Sequence, residues 1–140
     1  SCPFVKKHYD SGNIPATQKH AAAKGAVWLS VSTTGTADPK QGQELAQWAS
    51  AKSASPTAIL LDNGTVGRAY GARTTPHIYI VDPQGKLVYA GAIDSKPSSN
   101  PADIPSAINY VKQALDEVSA GKAISQAVTK PYGCSVKYGA

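Results

Sequence analysis

Two cysteines, one near each end of the chain, are the residues whose chemistry is easiest to predict. Cys2 directly precedes Pro3, and proline is favoured at the first position of a helix. A helix N-terminus presents free N–H groups and a positive dipole end, which stabilise a thiolate, and Lys6 and Lys7 add positive charge nearby. Because the thiolate is the reactive form of cysteine, Cys2 is predicted to be a nucleophile. A buried, inert cysteine is the alternative.

The second cysteine, Cys134, lies in a C-terminal segment that contains proline and glycine. The two ends of a domain are often close in space, so the spacing does not exclude contact with Cys2. Three roles stay open for Cys134, which are a redox partner of Cys2, a permanent structural bridge to Cys2, and an unrelated thiol.

A third feature is a proline that leads directly into an apolar strand, in the sequence Arg73-Thr74-Thr75-Pro76-His77. His77 and His8 could each act as a base or a metal ligand, because histidine titrates near neutrality. The alternative is an ordinary surface or turn histidine. A copper site built from Cys2 and His77 is a further, more remote hypothesis.

Composition and charge narrow the function classes. The chain has 140 residues, 41% of them hydrophobic and 16% charged, with a formal net charge of +5, so we expect one globular domain over residues 1–140. No apolar run approaches the ~20 residues of a membrane span. The lysines are scattered, which favours a solvated basic surface over a nucleic-acid site. The chain begins at Ser1 and contains no methionine, so we expect its original N-terminus to have been lost.

The elements that position these residues follow from proline, glycine and apolar patterns. The patterns predict an α/β order of helix, strand, helix, strand, short helix, β-hairpin and helix. Helices are predicted over residues 3 to about 24 with a break at 11–13, from Asp38-Pro39 onward, over 65–70, and from 104 or 105 to about 120. In the last helix, Ile108, Val111, Leu115 and Val118 are predicted to face the core. The predicted strands cover 26–32, 57–61, 77–81 and 86–91. Thr65 is the expected cap of the short helix. The glycosylation sequon Asn63-Gly64-Thr65 is predicted to form a turn, and residues 94–105 are predicted to form a loop. The tail over 129–140 has no clear period.

This order, with Cys-Pro opening a helix and Thr-Pro opening a hairpin, resembles the thioredoxin superfamily, and more narrowly its redoxin branch of AhpC/TSA peroxiredoxin-like and TlpA-like proteins. The ending Pro-Tyr-Gly-Cys-Ser-Val-Lys-Tyr is similar to that of uncharacterised peroxiredoxin-like proteins. The resemblance implies a central mixed sheet flanked by helices, with an extra strand and helix (residues 58–72) before a cis-proline hairpin. It also places a central strand directly ahead of the first cysteine. We therefore expect this domain to lack that strand, and we expect upstream residues or another chain to fill its place.

The resemblance further implies a thiol redox protein, either a thiol–disulfide oxidoreductase or a thiol peroxidase with antioxidant activity. Cys2 would be the nucleophile and Cys134 the resolving thiol, while Pro3, Thr75 and a cis Pro76 would position the substrate and Arg73 and His77 could assist. The expected partners are a protein disulfide or a peroxide and a thiol reductant, with no cofactor, metal, nucleic acid or membrane insertion. A non-catalytic binding domain of the same fold is the alternative. An exported or periplasmic location is slightly favoured over the bacterial cytoplasm.

Overall fold

The computed structural model describes residues 2–33 and 38–138. Most helices begin where the sequence supplies a helix start. Helix α1 (Pro3–Asp10) and α3 (Pro39–Ala51) both begin at a proline, and α2 (Asn13–Ala23) follows a break at Ser11 and Gly12. No helix of the described residues is long and apolar enough to cross a membrane.

The strands are hydrogen-bonded in three pairs. Strands β1 (Leu29–Thr33) and β2 (Ala58–Asp62) are parallel, with Leu29 opposite Ala58. The hairpin of β4 (Ile78–Val81) and β5 (Leu87–Gly91) is antiparallel, with an irregularity at Ile80 and Val81. The third pair joins β3 (Thr74–Thr75) to β6 (Cys134–Ser135), also antiparallel.

The predicted α/β, thioredoxin-like architecture with a strand and helix ahead of the hairpin is confirmed. Its strands, however, form three two-stranded ladders within residues 2–33 and 38–138 rather than one continuous sheet. The strand that the resemblance places directly ahead of Cys2 is not among the described residues. Leu29 and Val31 of β1 have exposed side chains, so the described residues leave one face of this strand uncovered.

Two features of the helices differ from the predictions, which are the cap of α4 and the start of the last helix. Helix α4 (Thr65–Tyr70) is capped by Asp62, not by Thr65, because the Asp62 carboxylate accepts hydrogen bonds from the backbone N–H groups of Val66 and Gly67. Burial raises the pKa of this carboxyl, but those bonds and the bond from the hydroxyl of Thr33 outweigh burial and lower the pKa to about 2.

The last helix begins later than expected. A 3-10 turn covers Pro101–Ser106 and helix α5 covers Tyr110–Ser119, because the side chain of Asn109 accepts the N–H of Lys112 and caps the helix there. The prediction that Ile108 faces the core is therefore wrong, since Ile108 precedes the helix and is exposed. The core beside the site joins α1, α2 and α5 and includes Ile14, Ala21, Ile93, Val111 and Leu115.

Candidate redox site

Cys2 lies at the N-terminus of α1, as its Cys-Pro sequence predicts. It has an extended backbone conformation, and its carbonyl oxygen accepts the first helical hydrogen bond, from Lys6 N–H at 3.0 Å. The side chain is half-buried. In the reduced protein this place would favour a thiolate, because the first N–H groups of a helix have no intrahelical acceptors and the dipole is positive there. Pro3, the first helical residue, is exposed beside it.

The Thr75–Pro76 peptide bond is cis, and its turn lies against Cys2. The Sγ of Cys2 is 3.4 Å from the carbonyl oxygen of Thr75. The hydroxyl of Thr74 donates to the carbonyl oxygen of Pro76 at 2.8 Å and closes the turn. The structure thus brings the Cys2–Pro3 pair next to the Thr75–Pro76 pair, which lies far from it in the sequence.

Cys134 completes this arrangement. It forms a disulfide with Cys2, with the two Cα atoms 6.1 Å apart, and it lies opposite Thr75 in the β3–β6 ladder. The pairing removes the alternative in which Cys134 is an unrelated thiol. The tail, whose sequence has no clear period, therefore contains a short strand at the site.

Gly133 explains how the tail comes so close to the turn. Its φ of +144° is unfavourable for any residue with a side chain. A Cβ at this position would overlap the carbonyl group of Thr75 and crowd the nitrogen of Pro76. Glycine therefore allows the tail backbone to pass directly over the cis peptide bond.

Arg73 and His77, the two residues that the resemblance suggests could assist the reaction, flank the Thr74–Pro76 turn in the sequence. The Nδ1 of His77 accepts the backbone N–H of Arg73 at 3.2 Å, and its ring stacks on Tyr79 with centroids 4.6 Å apart. Burial, and then the charge of Arg73, lower the pKa of His77. The carbonyl oxygen of Arg73 accepts the N–H of Val136 and so helps to hold the tail. These contacts join the helpers to the tail and the hairpin rather than to either sulfur atom.

A buried polar cluster beneath α1 was not foreseen from the sequence. The hydroxyl of Tyr132 accepts from Lys7 Nζ at 3.2 Å, is 2.9 Å from His8 Nε2 and donates to Asp94 Oδ1 at 2.5 Å. Lys7, His8 and Asp94 are at most 2% exposed. Lys7, expected to add charge near Cys2, instead directs its ammonium group into this cluster. The one available signal was the Pro-Tyr-Gly-Cys ending, in which Tyr132 stands two residues before Cys134.

The charge states inside the cluster follow from burial. Burial lowers the pKa of His8 to about 4, although Asp94 opposes this shift, and Lys7 adds to it. His8 is therefore neutral at pH 7. The side-chain amide of Asn13 lies 2.9 Å from Nδ1, so we assign the proton to Nε2, which donates to Tyr132. Burial and the carboxylate of Asp94 both raise the pKa of Tyr132.

A metal site has no support in the described residues. They contain no group of three or more histidine, cysteine or acidic side chains placed to hold a metal ion. For the copper hypothesis in particular, Cys2 is in a disulfide and the Nδ1 of His77 is taken by Arg73.

The fold and site define a redoxin of the thioredoxin superfamily with two bonded cysteines beside a proline turn. A family model described as the AhpC/TSA family matches residues 2–90, and the chain belongs to that family. The family suggests thiol redox function, and the joined cysteine pair fits it. No curated protein matches the chain.

Two solved structures are similar over nearly the whole chain. An uncharacterised conserved protein from Geobacillus kaustophilus has 27% sequence identity and a TM-score of 0.74, over 99% of this chain and 72% of that one. A hypothetical protein from Sinorhizobium meliloti 1021 has 26% identity and a TM-score of 0.73, over 100% of this chain and 75% of that one.

Proposed function

We propose that this protein is a thiol–disulfide oxidoreductase in which Cys2 is the nucleophile and Cys134 the resolving thiol. One observation carries the proposal. Two cysteines separated by 132 positions in the sequence meet at a helix N-terminus, half-buried beside the Thr75–Pro76 turn. A helix N-terminus favours the reactive thiolate, and the second sulfur lies within bonding distance of the first.

The reaction proceeds by two exchanges. The Cys2 thiolate attacks one sulfur of a substrate disulfide, which forms a mixed disulfide and releases the other substrate sulfur as a thiolate. The Cys134 thiol loses its proton to solvent and attacks Cys2 Sγ, which forms the Cys2–Cys134 bond and releases the second substrate thiol. The substrate gains two electrons, and an external thiol reductant returns two electrons to the protein. No cofactor enters these steps.

A disulfide substrate is favoured over a peroxide by the strand at the site. The partner that Cys2 engages here is the cysteine of an extended segment paired with Thr75, which is the product state of thiol–disulfide exchange. A peroxidase would use nearby polar groups to polarise the peroxide, yet Arg73 and His77 contact the tail and hairpin instead. In the peroxide reaction, Cys2 would become a sulfenic acid with release of an alcohol or water, and Cys134 would condense with it to release water.

Trapping the intermediate tests this function. Reduced Cys134→Ser, incubated with glutathione disulfide, is expected to accumulate a mixed disulfide at Cys2 that intact-mass measurement detects. Reduced Cys2→Ser is the matched control and should form much less adduct, while the wild type should proceed to the Cys2–Cys134 bond. A parallel incubation with hydrogen peroxide and a sulfenic-acid trap identifies peroxide as the substrate if only that arm modifies Cys2.

The alternative is a binding domain with a structural bridge, which is favoured by the many contacts that hold the tail in place. That reading predicts a bond that persists in excess reduced glutathione and a Cys2 that forms no adduct in Cys134→Ser. These two results together would overturn the proposed redox function.

A further inference from the structure

Tyr132 joins the tail to the helix that carries Cys2. Only Gly133 separates Tyr132 from Cys134. The Tyr132 hydroxyl uses its full capacity, because it accepts from Lys7 and His8 and donates to Asp94. Its ring also meets the edge of Phe4 at a centroid distance of 5.8 Å.

The groups that receive this hydroxyl are held by bonds that do not involve the tail. Lys7 Nζ also donates to the carbonyl oxygen of Lys96 at 2.9 Å. Asp94 Oδ1 also accepts the N–H of Lys96 at 3.1 Å, and His8 Nδ1 is 2.9 Å from the Asn13 amide. Opening the disulfide therefore leaves the receiving site in place.

Release of the tail would remove a hydrogen-bond partner from each of the polar groups at this site. Lys7, His8 and Asp94 are buried, and each would lose a partner. Asp94 Oδ2 is already buried without a hydrogen-bond partner among the described residues. A buried polar group that loses its partner is costly, and more so when it is charged. The cluster thus favours a docked tail whether or not the sulfur atoms are joined.

We propose that Tyr132 is a positioning residue for the resolving step, because its hydroxyl, which is hydrogen-bonded to three buried side chains, keeps Cys134 docked beside Cys2 after the disulfide has been reduced. This inference rests on the proposed redox function. Docking raises the effective concentration of Cys134 at Cys2, as a tether does for a second binding group. Elsewhere the tail is held by the two-residue strand, by the contacts of Val136 and Tyr138, and at its start by the hydrogen bonds of Thr129 with Tyr89, Ala90 and Ala92. Tyr132 is the nearest of the side chains that anchor the tail on the N-terminal side of Cys134.

The equilibrium between the dithiol and the disulfide in glutathione buffers tests the proposal. Tyr132→Phe keeps the ring and removes the hydroxyl, and it is expected to lower the disulfide/dithiol equilibrium constant by about tenfold. Tyr89→Phe is the matched control, because Tyr89 is buried and its hydroxyl bonds to the carbonyl oxygen of Ala92 and to Thr129 Oγ1 at the start of the tail, not to the cluster. It should change the constant by less than about threefold. A purely structural tyrosine would destabilise both redox forms equally and leave the constant unchanged.

Alkylation of Cys134 gives a second measurement that does not need the disulfide. In Cys2→Ser, Cys134 should react slowly, and adding Tyr132→Phe should accelerate the reaction about tenfold. If Tyr132→Phe does not fold, Asp94→Asn keeps the shape of the cluster and should produce smaller changes in the same direction. An equilibrium constant and an alkylation rate that both stay within about twofold of the parent in a folded variant would overturn the proposal. An unreactive Cys2 in Cys134→Ser would instead refute the redox function, while protection of Cys134 would still report docking.

Discussion

His8 shows how one buried side chain links the charge of the cluster to stability. It is fully buried, and burial lowers its pKa from 6.5 to about 4. Below pH 6.5 the unfolded chain takes up a proton at this position and the folded protein does not. Stability is therefore present in full above pH 6.5 and is lost as the pH falls toward 4, where the folded protein also takes up the proton.

The free energy of unfolding at pH 7.5 and pH 5.0, with the disulfide intact, measures this effect. The shift of His8 predicts a loss of about 2 kcal/mol between the two values. His8→Gln removes the titrating ring and should abolish most of that loss, even if it lowers stability at both pH values. Tyr89→Phe, which removes a buried hydroxyl that does not titrate in this range, should keep it. A loss of unchanged size in His8→Gln would contradict the assignment.

The β3–β6 ladder is the element that brings the tail to the site, and Gly133 is where it is most sensitive. The backbone passes so close to the Thr75–Pro76 bond that a Cβ would overlap the Thr75 carbonyl group. Gly121 also has a positive φ, +72°, in the left-handed region, but no described atom lies within 4 Å of the place of its Cβ. Alanine at Gly121 therefore reports backbone strain without close approach, and alanine at Gly133 reports both.

Alanine at each glycine tests the ladder. Gly133→Ala should displace Cys134 from Cys2, so that the reduced protein closes its disulfide with glutathione disulfide at least about tenfold more slowly than the wild type. Gly121→Ala should cost about 1 kcal/mol of stability through its φ and leave the closure rate unchanged. Quenched-flow sampling followed by mass measurement gives the rate at which the disulfide closes. Equal closure rates in the two variants would show that the ladder does not position Cys134.

At the scale of the whole molecule, the sequence predicts the features that depend on neighbouring residues and misses those that depend on contacts between distant residues. Proline at a helix start located α1 and α3, and a glycine-containing turn located the β4–β5 hairpin, because these signals act within a few residues. Asp62 was missed as the cap of α4 since the sequence offered Thr65 in the more familiar place. Pro105 suggested a helix start that a 3-10 turn occupies instead.

The candidate site shows the same division. Cys2 was predicted as the nucleophile from its place before Pro3 at a helix start. The cis turn at Pro76 and the resolving role of Cys134 followed only from the family resemblance, since residue type left three roles open for Cys134. The cluster of Lys7, His8, Asp94 and Tyr132 was not predicted, because its hydrogen bonds join residues that are 38 to 125 positions apart. Sequence patterns with helix or strand periods carry no information on such distant polar contacts.

Activation of Cys2 by its position in the fold is tested most directly by its alkylation rate as a function of pH. The measurement uses reduced Cys134→Ser between pH 4 and 9, so that Cys2 is the one thiol that can be alkylated. The position of Cys2 at the N-terminus of α1 predicts fast alkylation with a midpoint below pH 7, lower than the ~8.5 of a free cysteine. Slow alkylation with a midpoint near ~8.5 would contradict the account and leave the cysteine pair as a structural bridge.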